Sequence, residues 1–179
     1  VCTDGARRVA RAQEWWESFC TPLDNRDEVK LPGSGPVAFA SFAFDESPGS
    51  SVLVVPRVVV GRRGDQTWVT EFETGLATGP VVPVSRPCGL RYFDGELPVK
   101  AWRDAVARAV SRMRDGSAPA KVVLAHDLLA VADEPLDPRF LLHGLAARYP
   151  SCWTFAVDHL VGATPELLLG RPGPRVHSR

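Results

Sequence analysis

Two charged residues stand directly before apolar segments in the second half of the chain, and their types suit acid–base chemistry. Lys121 precedes the apolar run 122–125, and Glu166 precedes the three leucines at 167–169. Both runs are predicted to be buried, and lysine and glutamate are seldom buried without a reason. A lysine and a glutamate at the ends of core elements predict a general base and a general acid. The alternative is that both are solvated residues that flank strands at a sheet edge.

The lysine and the glutamate each belong to a longer motif. Residues 121–126 read Lys-Val-Val-Leu-Ala-His, residues 161–168 read Val-Gly-Ala-Thr-Pro-Glu-Leu-Leu, and Glu166 lies 45 positions after Lys121. In this order and at this separation, the two motifs resemble those of the chorismate-binding enzymes, and among them the isochorismate synthases most closely. The resemblance begins near residue 36, continues to the end of the chain and is strongest over 121–169.

The resemblance implies an isomerase that converts chorismate into isochorismate, in which water adds at one ring carbon and a hydroxyl group leaves another. It makes Lys121 the general base that activates water and Glu166 the general acid that protonates the leaving oxygen. A lysine at this motif position points to water rather than ammonia as nucleophile, as in isochorismate and salicylate synthases. Gly162, Ala163 and Thr164 are the candidate substrate-binding residues, because Gly162 and Ala163 leave room for a ligand or another strand.

The resemblance also implies Mg²⁺ as the cofactor, chorismate as the substrate, and a role in menaquinone or siderophore biosynthesis in the cytoplasm. In the family, the magnesium-binding glutamates and a carboxylate-binding region follow in a part of the fold that 1–179 does not include. We therefore expect 1–179 to be a partial chorismate-binding domain that lacks the C-terminal half of the fold and the metal ligands. We expect negligible activity from this chain alone. His126 is a further difference, since the family usually has arginine there.

Two other functions remain open at this point. The chain is alternatively a non-catalytic remnant, or a partner-dependent subunit of a chorismate-utilising enzyme of the salicylate or anthranilate synthase type. Such a subunit would pair with a complementary C-terminal chain. The last alternative is an unrelated α/β binding domain.

Composition argues against several kinds of partner and site. The chain has 179 residues, enough for one domain, and its acidic and basic residues balance without forming a charged block. This argues against nucleic acid or an anionic membrane surface as partner. No apolar run approaches the roughly 20 residues that cross a bilayer. The N-terminus lacks an apolar signal core, and Val1 indicates that the native start is absent or removed.

The cysteines show no metal or disulfide pattern. Without any Cys-x-x-Cys spacing, they are predicted to be buried free thiols rather than zinc ligands or a disulfide framework. No glycine-rich nucleotide-binding motif is found either. The cysteines are Cys2, Cys20, Cys88 and Cys152.

The elements that would position the two motifs indicate a mixed chain. Apolar residues at helical spacing predict helices at 4–20, 97–114 and 137–149, with Asp4 and Asp137 as N-caps of the first and third. The second helix has a stripe formed by Trp102, Val106, Val110 and Met113 and is expected to stop at Gly116. β-branched and apolar runs predict strands at 37–44, 51–60, 67–72, 121–130, 151–157 and 160–169, with a break at Pro56 and another strand from Val176. Loops or turns are predicted at 21–35, 45–51, 61–66, 73–96 and 171–174.

The predicted fold class is α/β (α+β), a chorismate-binding-enzyme-like fold with large, mostly antiparallel sheet layers and flanking helices, incomplete at the C-terminus. Trp15 and Trp16 are expected to pack in the core. The resemblance implies that Phe39, Phe42 and Phe44 pack within the N-terminal strands. Because nearly continuous apolar strands are normally covered on both faces, we also expect uncovered apolar surface and self-association of this chain.

Overall fold

The computed structural model describes residues 1–46, 51–72, 79–117, 119–171 and 173–178. The chain divides into two compact units, one formed by Val1–Pro83 with Leu141–Arg179 and the other by Val84–Phe140. Within the described ranges there are three helices, α1 (Arg8–Cys20), α2 (Val99–Arg114) and α3 (Pro138–Arg148). The strands are β1 (Cys2–Thr3), β2 (Phe39–Ser41), β3 (Ser51–Val54), β4 (Val58–Arg63), β5 (Gln66–Glu71), β6 (Arg91–Asp94), β7 (Leu128–Val131), β8 (Trp153–Val157) and β9 (Leu160–Thr164).

All of these strands pair in antiparallel fashion. One sheet has the order β1-β3-β2, and the others are the pairs β4-β5, β6-β7 and β8-β9. The prediction of a mixed α/β chain with antiparallel strands and helices is confirmed. The described strands form small sheets of two or three strands rather than the large sheet layers that the resemblance implies.

The first predicted helix is present, but its start differs from the prediction. α1 begins at Arg8, and the residue before it, Arg7, makes no side-chain cap. The prediction of Asp4 as N-cap is wrong, because its carboxylate accepts a hydrogen bond from the Arg11 guanidinium at 3.1 Å instead. A carboxylate paired with an arginine side chain no longer satisfies the free backbone N–H groups of the first helical turn.

The aromatic residues of α1 form a half-buried stack. The rings of Trp15 and Trp16 lie 5.2 Å and 5.9 Å from the ring of Phe19, and Phe19 lies 5.6 Å from Phe72. These separations are within the range of favourable aromatic pairs. Neither tryptophan reaches full burial, so the predicted core packing holds only in part.

The N-terminal strands are shorter than predicted. The predicted break at Pro56 is confirmed, since β3 ends at Val54 and β4 begins at Val58. The packing role of Phe39, Phe42 and Phe44 is wrong: all three side chains are exposed, and Phe44 fully so. β2 ends at Ser41, so the two later phenylalanines lie beyond the strand that was expected to bury them. Part of the predicted turn at 45–51, residues 47–50, lies outside the described residues.

The hairpin β4–β5 carries the largest buried apolar side chain among the described residues. Trp68 is opposite Gly61, and its indole fills the space that a side chain at position 61 would need. Its Nε1–H donates to the Gly33 carbonyl at 3.2 Å, and the Thr70 hydroxyl donates to the Ser34 carbonyl at 2.7 Å. These bonds attach the predicted loop 21–35 to the hairpin. Within the described ranges, only Trp68, Ala12 and Leu53 are buried apolar side chains.

The second unit contains α2 as predicted and one strand that was not predicted. The stripe of α2 is half-buried, and Gly116, at a positive φ of 78°, follows the helix as expected. β6 (Arg91–Asp94) lies in the stretch predicted to be a connector and pairs with β7. Residues 73–78 of that predicted connector lie outside the described residues. The glycines and prolines around β6 are typical of a loop. The strand forms because it pairs with β7, which is distant in the sequence.

The N-terminus of α3 confirms both of its predicted signals. Pro138 is the first helical residue, and Asp137 accepts a hydrogen bond from the Arg139 backbone N–H at 3.0 Å. The same carboxylate accepts bonds from the Arg139 guanidinium and from the Ser85 backbone N–H. The Arg139 side chain is the main reason that the pKa of Asp137 lies far below its ordinary value of 3.8. Asp137 therefore joins residue 85 to the helix start.

The cysteines are free, as predicted, but they are not buried. Cys2 and Cys88 are exposed, and Cys20 and Cys152 are half-buried. Their exposure agrees with the small number of side chains that are buried in the described ranges.

Candidate functional site

The lysine motif lies in the second unit and is not part of a sheet. Residues 121–127 belong to no strand within the described ranges, and β7 begins only at Leu128. Lys121 and the apolar residues after it are exposed, with Val123 at 83%. The prediction of a buried strand headed by Lys121 is wrong for this reason: the four residues of β6 pair with Leu128–Val131 and leave 121–127 without a partner strand.

Contacts at the end of the motif hold it in place. The indole Nε1–H of Trp102, on α2, donates to the Ala125 carbonyl at 2.8 Å. The same indole lies 5.1 Å from the His126 ring, at an interplanar angle of 47°. Asp127 then accepts a hydrogen bond from the Glu96 backbone N–H at 2.9 Å. The motif is therefore attached to the helix that precedes it and to the residues after β6.

The glutamate motif lies in the first unit, directly after a complete hairpin. β8 and β9 pair from Trp153 with Thr164 to Val157 with Leu160, and Glu166 lies two residues beyond β9. The Glu166 backbone N–H donates to the Thr164 hydroxyl at 3.3 Å. The side chain of Glu166 is exposed. Local pairing, rather than burial, thus sets the position of Glu166.

The three leucines after Glu166 do not form the predicted buried strand. Leu168 is 89% exposed and Leu169 is exposed as well. The chain turns back so that Gly170 and His177 exchange two backbone hydrogen bonds, of 2.7 Å and 2.8 Å. The Ser178 hydroxyl also donates to the Leu167 carbonyl at 3.3 Å. The strand predicted from Val176 is therefore present as a single antiparallel bridge.

The candidate substrate-binding residues Gly162, Ala163 and Thr164 are half-buried on β9. Gly162 is opposite Phe155, and a Cβ atom at position 162 would lie 2.6 Å from the Phe155 ring. Sequence reasoning offered a ligand or another strand as the reason for a small residue here. The structure supplies the second reason, because the side chain of the neighbouring strand occupies that space. The role of these three residues in binding substrate stays a prediction.

Lys121 and Glu166 belong to different units, and each is described within its own unit. The prediction that the two residues act as one acid–base pair therefore stays a prediction. Two cavities of the first unit, of about 520 and 460 Å³, are lined by N-terminal residues and do not include Glu166. The candidate site therefore consists of the two motif segments.

The Mg²⁺ that the resemblance implies stays a prediction. Nowhere in the described ranges do three or more histidine, cysteine, aspartate or glutamate side chains come together to hold a metal ion. Mg²⁺ prefers near-octahedral coordination by oxygen atoms.

No helix in the described ranges is both long and apolar enough to cross a membrane.

Sequence reasoning missed the role of Trp102. It assigned this residue to the apolar stripe of α2, which is correct, but the indole N–H also reaches the backbone of the lysine motif. The available signal was its type: a tryptophan on a half-buried helix face usually finds a partner for its N–H group. Which carbonyl it reaches depends on the tertiary structure.

Comparison with known proteins defines the class. The chorismate binding enzyme family matches residues 90–179, half of the chain, and this range contains both motifs. The chain belongs to the chorismate-binding enzymes. The unrelated α/β binding domain is thereby excluded.

The relatives are all named as isochorismate synthases. "Putative isochorismate synthase MenF" of Mycobacterium tuberculosis is 31% identical over 156 residues, which cover 80% of this chain and 38% of that protein. Isochorismate synthase MenF of Bacillus subtilis is 28% identical over 212 residues, covering 97% of this chain and 44% of the relative. Isochorismate synthase DhbC of Bacillus subtilis is 33% identical over 88 residues, covering 43% of this chain and 22% of the relative.

The chain spans about two fifths of the length of the two MenF relatives. No solved structure gives a significant match. Family membership is thus established from sequence, whereas the activity of the whole relatives does not pass directly to this chain.

Proposed function

We propose that this chain belongs to an isochorismate synthase and supplies its acid–base pair, with Lys121 as general base and Glu166 as general acid. The observation that supports this most strongly is that the family match over 90–179 contains both motifs in order, in a chain whose relatives are named isochorismate synthases. The reaction would add water at one ring carbon of chorismate and expel a hydroxyl group from another.

Each residue has a defined task in this proposal. A lysine acts as a base only in its neutral form, and glutamate acts as an acid only when it holds a proton. Both states are disfavoured for side chains in open water and are favoured by desolvation. Because Lys121 and Glu166 are exposed in the described chain, the proposal requires substrate or further protein surface to cover them. Gly162, Ala163 and Thr164 would contact the substrate beside Glu166.

The cofactor and the setting of the reaction are part of the proposal. Mg²⁺ would stabilise the charge of the chorismate carboxylates, with ligands from outside the described residues. The product would enter menaquinone or siderophore biosynthesis in the cytoplasm. No partnership with nucleic acid or a membrane is proposed, because the chain has no basic block and balanced charge.

A second function is favoured by a separate observation. Large apolar side chains are exposed around both motifs, including Val123 and Leu168. This suits a partner-dependent subunit, completed by a complementary C-terminal chain, or a non-catalytic remnant. The first would act on chorismate only with that partner, and the second would not act on it at all.

The experiment is a chorismate turnover assay with Mg²⁺ on two proteins. One is 1–179, for which we expect negligible turnover. The other continues this sequence with the region that the MenF relatives carry beyond the match, and there we expect isochorismate. Lys121→Ala should abolish that turnover, whereas Lys100→Ala should not, because Lys100 is an exposed lysine of α2 paired with Asp104. Turnover that survives Lys121→Ala would exclude the assignment.

A further inference from the structure

The lysine segment depends on a few contacts for its position. Among the described residues, no hydrogen bond joins 121–124 to another part of the chain, and the first fixed atom after Lys121 is the Ala125 carbonyl. A backbone of this length spans at most ~13 Å when extended. The attachment at Ala125 thus limits how far Lys121 can lie from α2.

One side chain makes that attachment. The hydrogen bond from Trp102 Nε1–H to the Ala125 carbonyl is 2.8 Å long, within the normal range, and the indole also contacts the His126 ring. A hydrogen bond to one residue and a ring contact to the next restrict both the translation and the rotation of the segment. Trp102 is itself fixed, since its backbone N–H donates to the Pro98 carbonyl in the first turn of α2.

We propose that Trp102 is a positioning residue for Lys121, through its indole hydrogen bond to Ala125 and its ring contact with His126. This rests on the proposed function of Lys121 as general base. Trp102 acts through the backbone, and among the described residues no hydrogen bond or cation–π contact joins it to the Lys121 side chain. Asp127, which accepts a hydrogen bond from the Glu96 backbone N–H, holds the other end of the segment.

If Trp102 only packs against its neighbours, its replacement should have a different effect than if it positions the lysine segment. As a member of the α2 stripe, Trp102 could be replaced by phenylalanine with a modest loss of packing. As a positioning residue, it needs its N–H group, which phenylalanine lacks. Misplacement of a catalytic group by about 1 Å can cost up to ~100-fold in rate. The indole N–H is therefore the feature to remove.

The test compares Trp102→Phe with the matched control Trp68→Phe. Trp68 also donates its indole N–H to a backbone carbonyl, that of Gly33, but it lies in the other unit. The first readout uses 1–179 and no chorismate. Acetylation rates follow Lys121 against Lys30 as internal reference. We expect Trp102→Phe to change the Lys121 rate because the segment is released from α2, with no change in Trp68→Phe.

The second readout is turnover in the continued protein. We expect Trp102→Phe to lower kcat by ~10- to 100-fold with KM nearly unchanged, and Trp68→Phe to leave kcat within about twofold. If Trp102→Phe does not fold, 3-benzothienylalanine at position 102 keeps the ring shape and lacks the N–H donor. Equal behaviour of the position 102 and position 68 variants in both readouts would overturn the proposal. A Lys121 response without turnover in any variant would instead refute the proposed function.

Discussion

The two motif segments are positioned in different ways. Glu166 follows β9, whose pairing with β8 is complete, and its backbone N–H bonds to Thr164 only two residues away. Lys121 begins a segment without a strand partner, which is held by Trp102 from a helix 23 residues before Ala125. The glutamate thus depends on local register, and the lysine depends on a tertiary contact. Variants should affect the two residues independently when they act on these separate supports.

The largest expected effect concerns the apolar residues that both segments expose. We predict that 1–179 self-associates and binds a hydrophobic dye, because Val123 and Leu168 are among many large apolar side chains on its surface. Val123→Glu together with Leu168→Glu should reduce both. Light scattering and dye fluorescence measure the effect. A monodisperse monomer with a cooperative thermal transition and no dye binding would refute the prediction.

The next prediction concerns the β8–β9 hairpin, which directly precedes the Glu166 segment. We predict that Gly162→Val destabilises the first unit by about 1–3 kcal/mol, because its side chain would collide with the Phe155 ring across the hairpin. Urea unfolding measures it as a lower midpoint with unchanged slope.

The control for this variant lies in the same unit. A Cβ atom at Gly144, in α3, would meet nothing within 4 Å. Gly144→Ala should therefore stabilise by about 0.5–1 kcal/mol. If Gly162→Val were as stable as the native chain, the close approach of Phe155 would not exist in solution.

A third prediction concerns the stability of the second unit at acid pH. This unit contains the lysine segment. The bond from Arg139 holds the pKa of Asp137 far below the ordinary 3.8. The ionised carboxylate therefore contributes stability that is complete above about pH 4 and is lost as the pH falls further. Asp137→Asn should remove this contribution and flatten the acid side of the stability curve. Arg139→Gln should move the loss to higher pH, and identical curves for all three proteins would contradict the assignment.

The smallest effect concerns the turn of the β8–β9 hairpin. Asp158 has a positive φ of 53°, in the left-handed region that favours glycine. We predict that Asp158→Gly stabilises the hairpin by less than about 1 kcal/mol without changing its register. A rise in the thermal midpoint is expected. A fall would show that the Asp158 side chain contributes more than its backbone strain costs.

Local signals predicted the helices well. The stripe and Gly116 predicted α2, and Asp137 with Pro138 predicted the start of α3, because each signal acts within one or two turns of the chain. Pro56 predicted a strand break for the same reason, since it removes a backbone donor. The two motifs were also identified from sequence, and the family match confirms the class of protein.

Features that need distant partners were not predictable. β6 exists through its pairing with β7, and the bond from Trp102 to Ala125 spans 23 residues. The apolar run after Lys121 is typical of a buried strand, yet no strand is available to pair with it among the described residues. Hydrophobicity indicates that a segment favours burial, but it does not show which surface covers it.

The most direct measurement is isochorismate formation by the continued protein in which Lys121→Ala and Glu166→Gln are introduced separately. We predict that each variant loses ~100-fold or more in kcat, because a general base or acid contributes about 10²–10⁴-fold. Lys100→Ala should retain native turnover, and 1–179 alone should show none. Native turnover in either the Lys121→Ala or the Glu166→Gln variant would contradict the assignment of these residues as the acid–base pair.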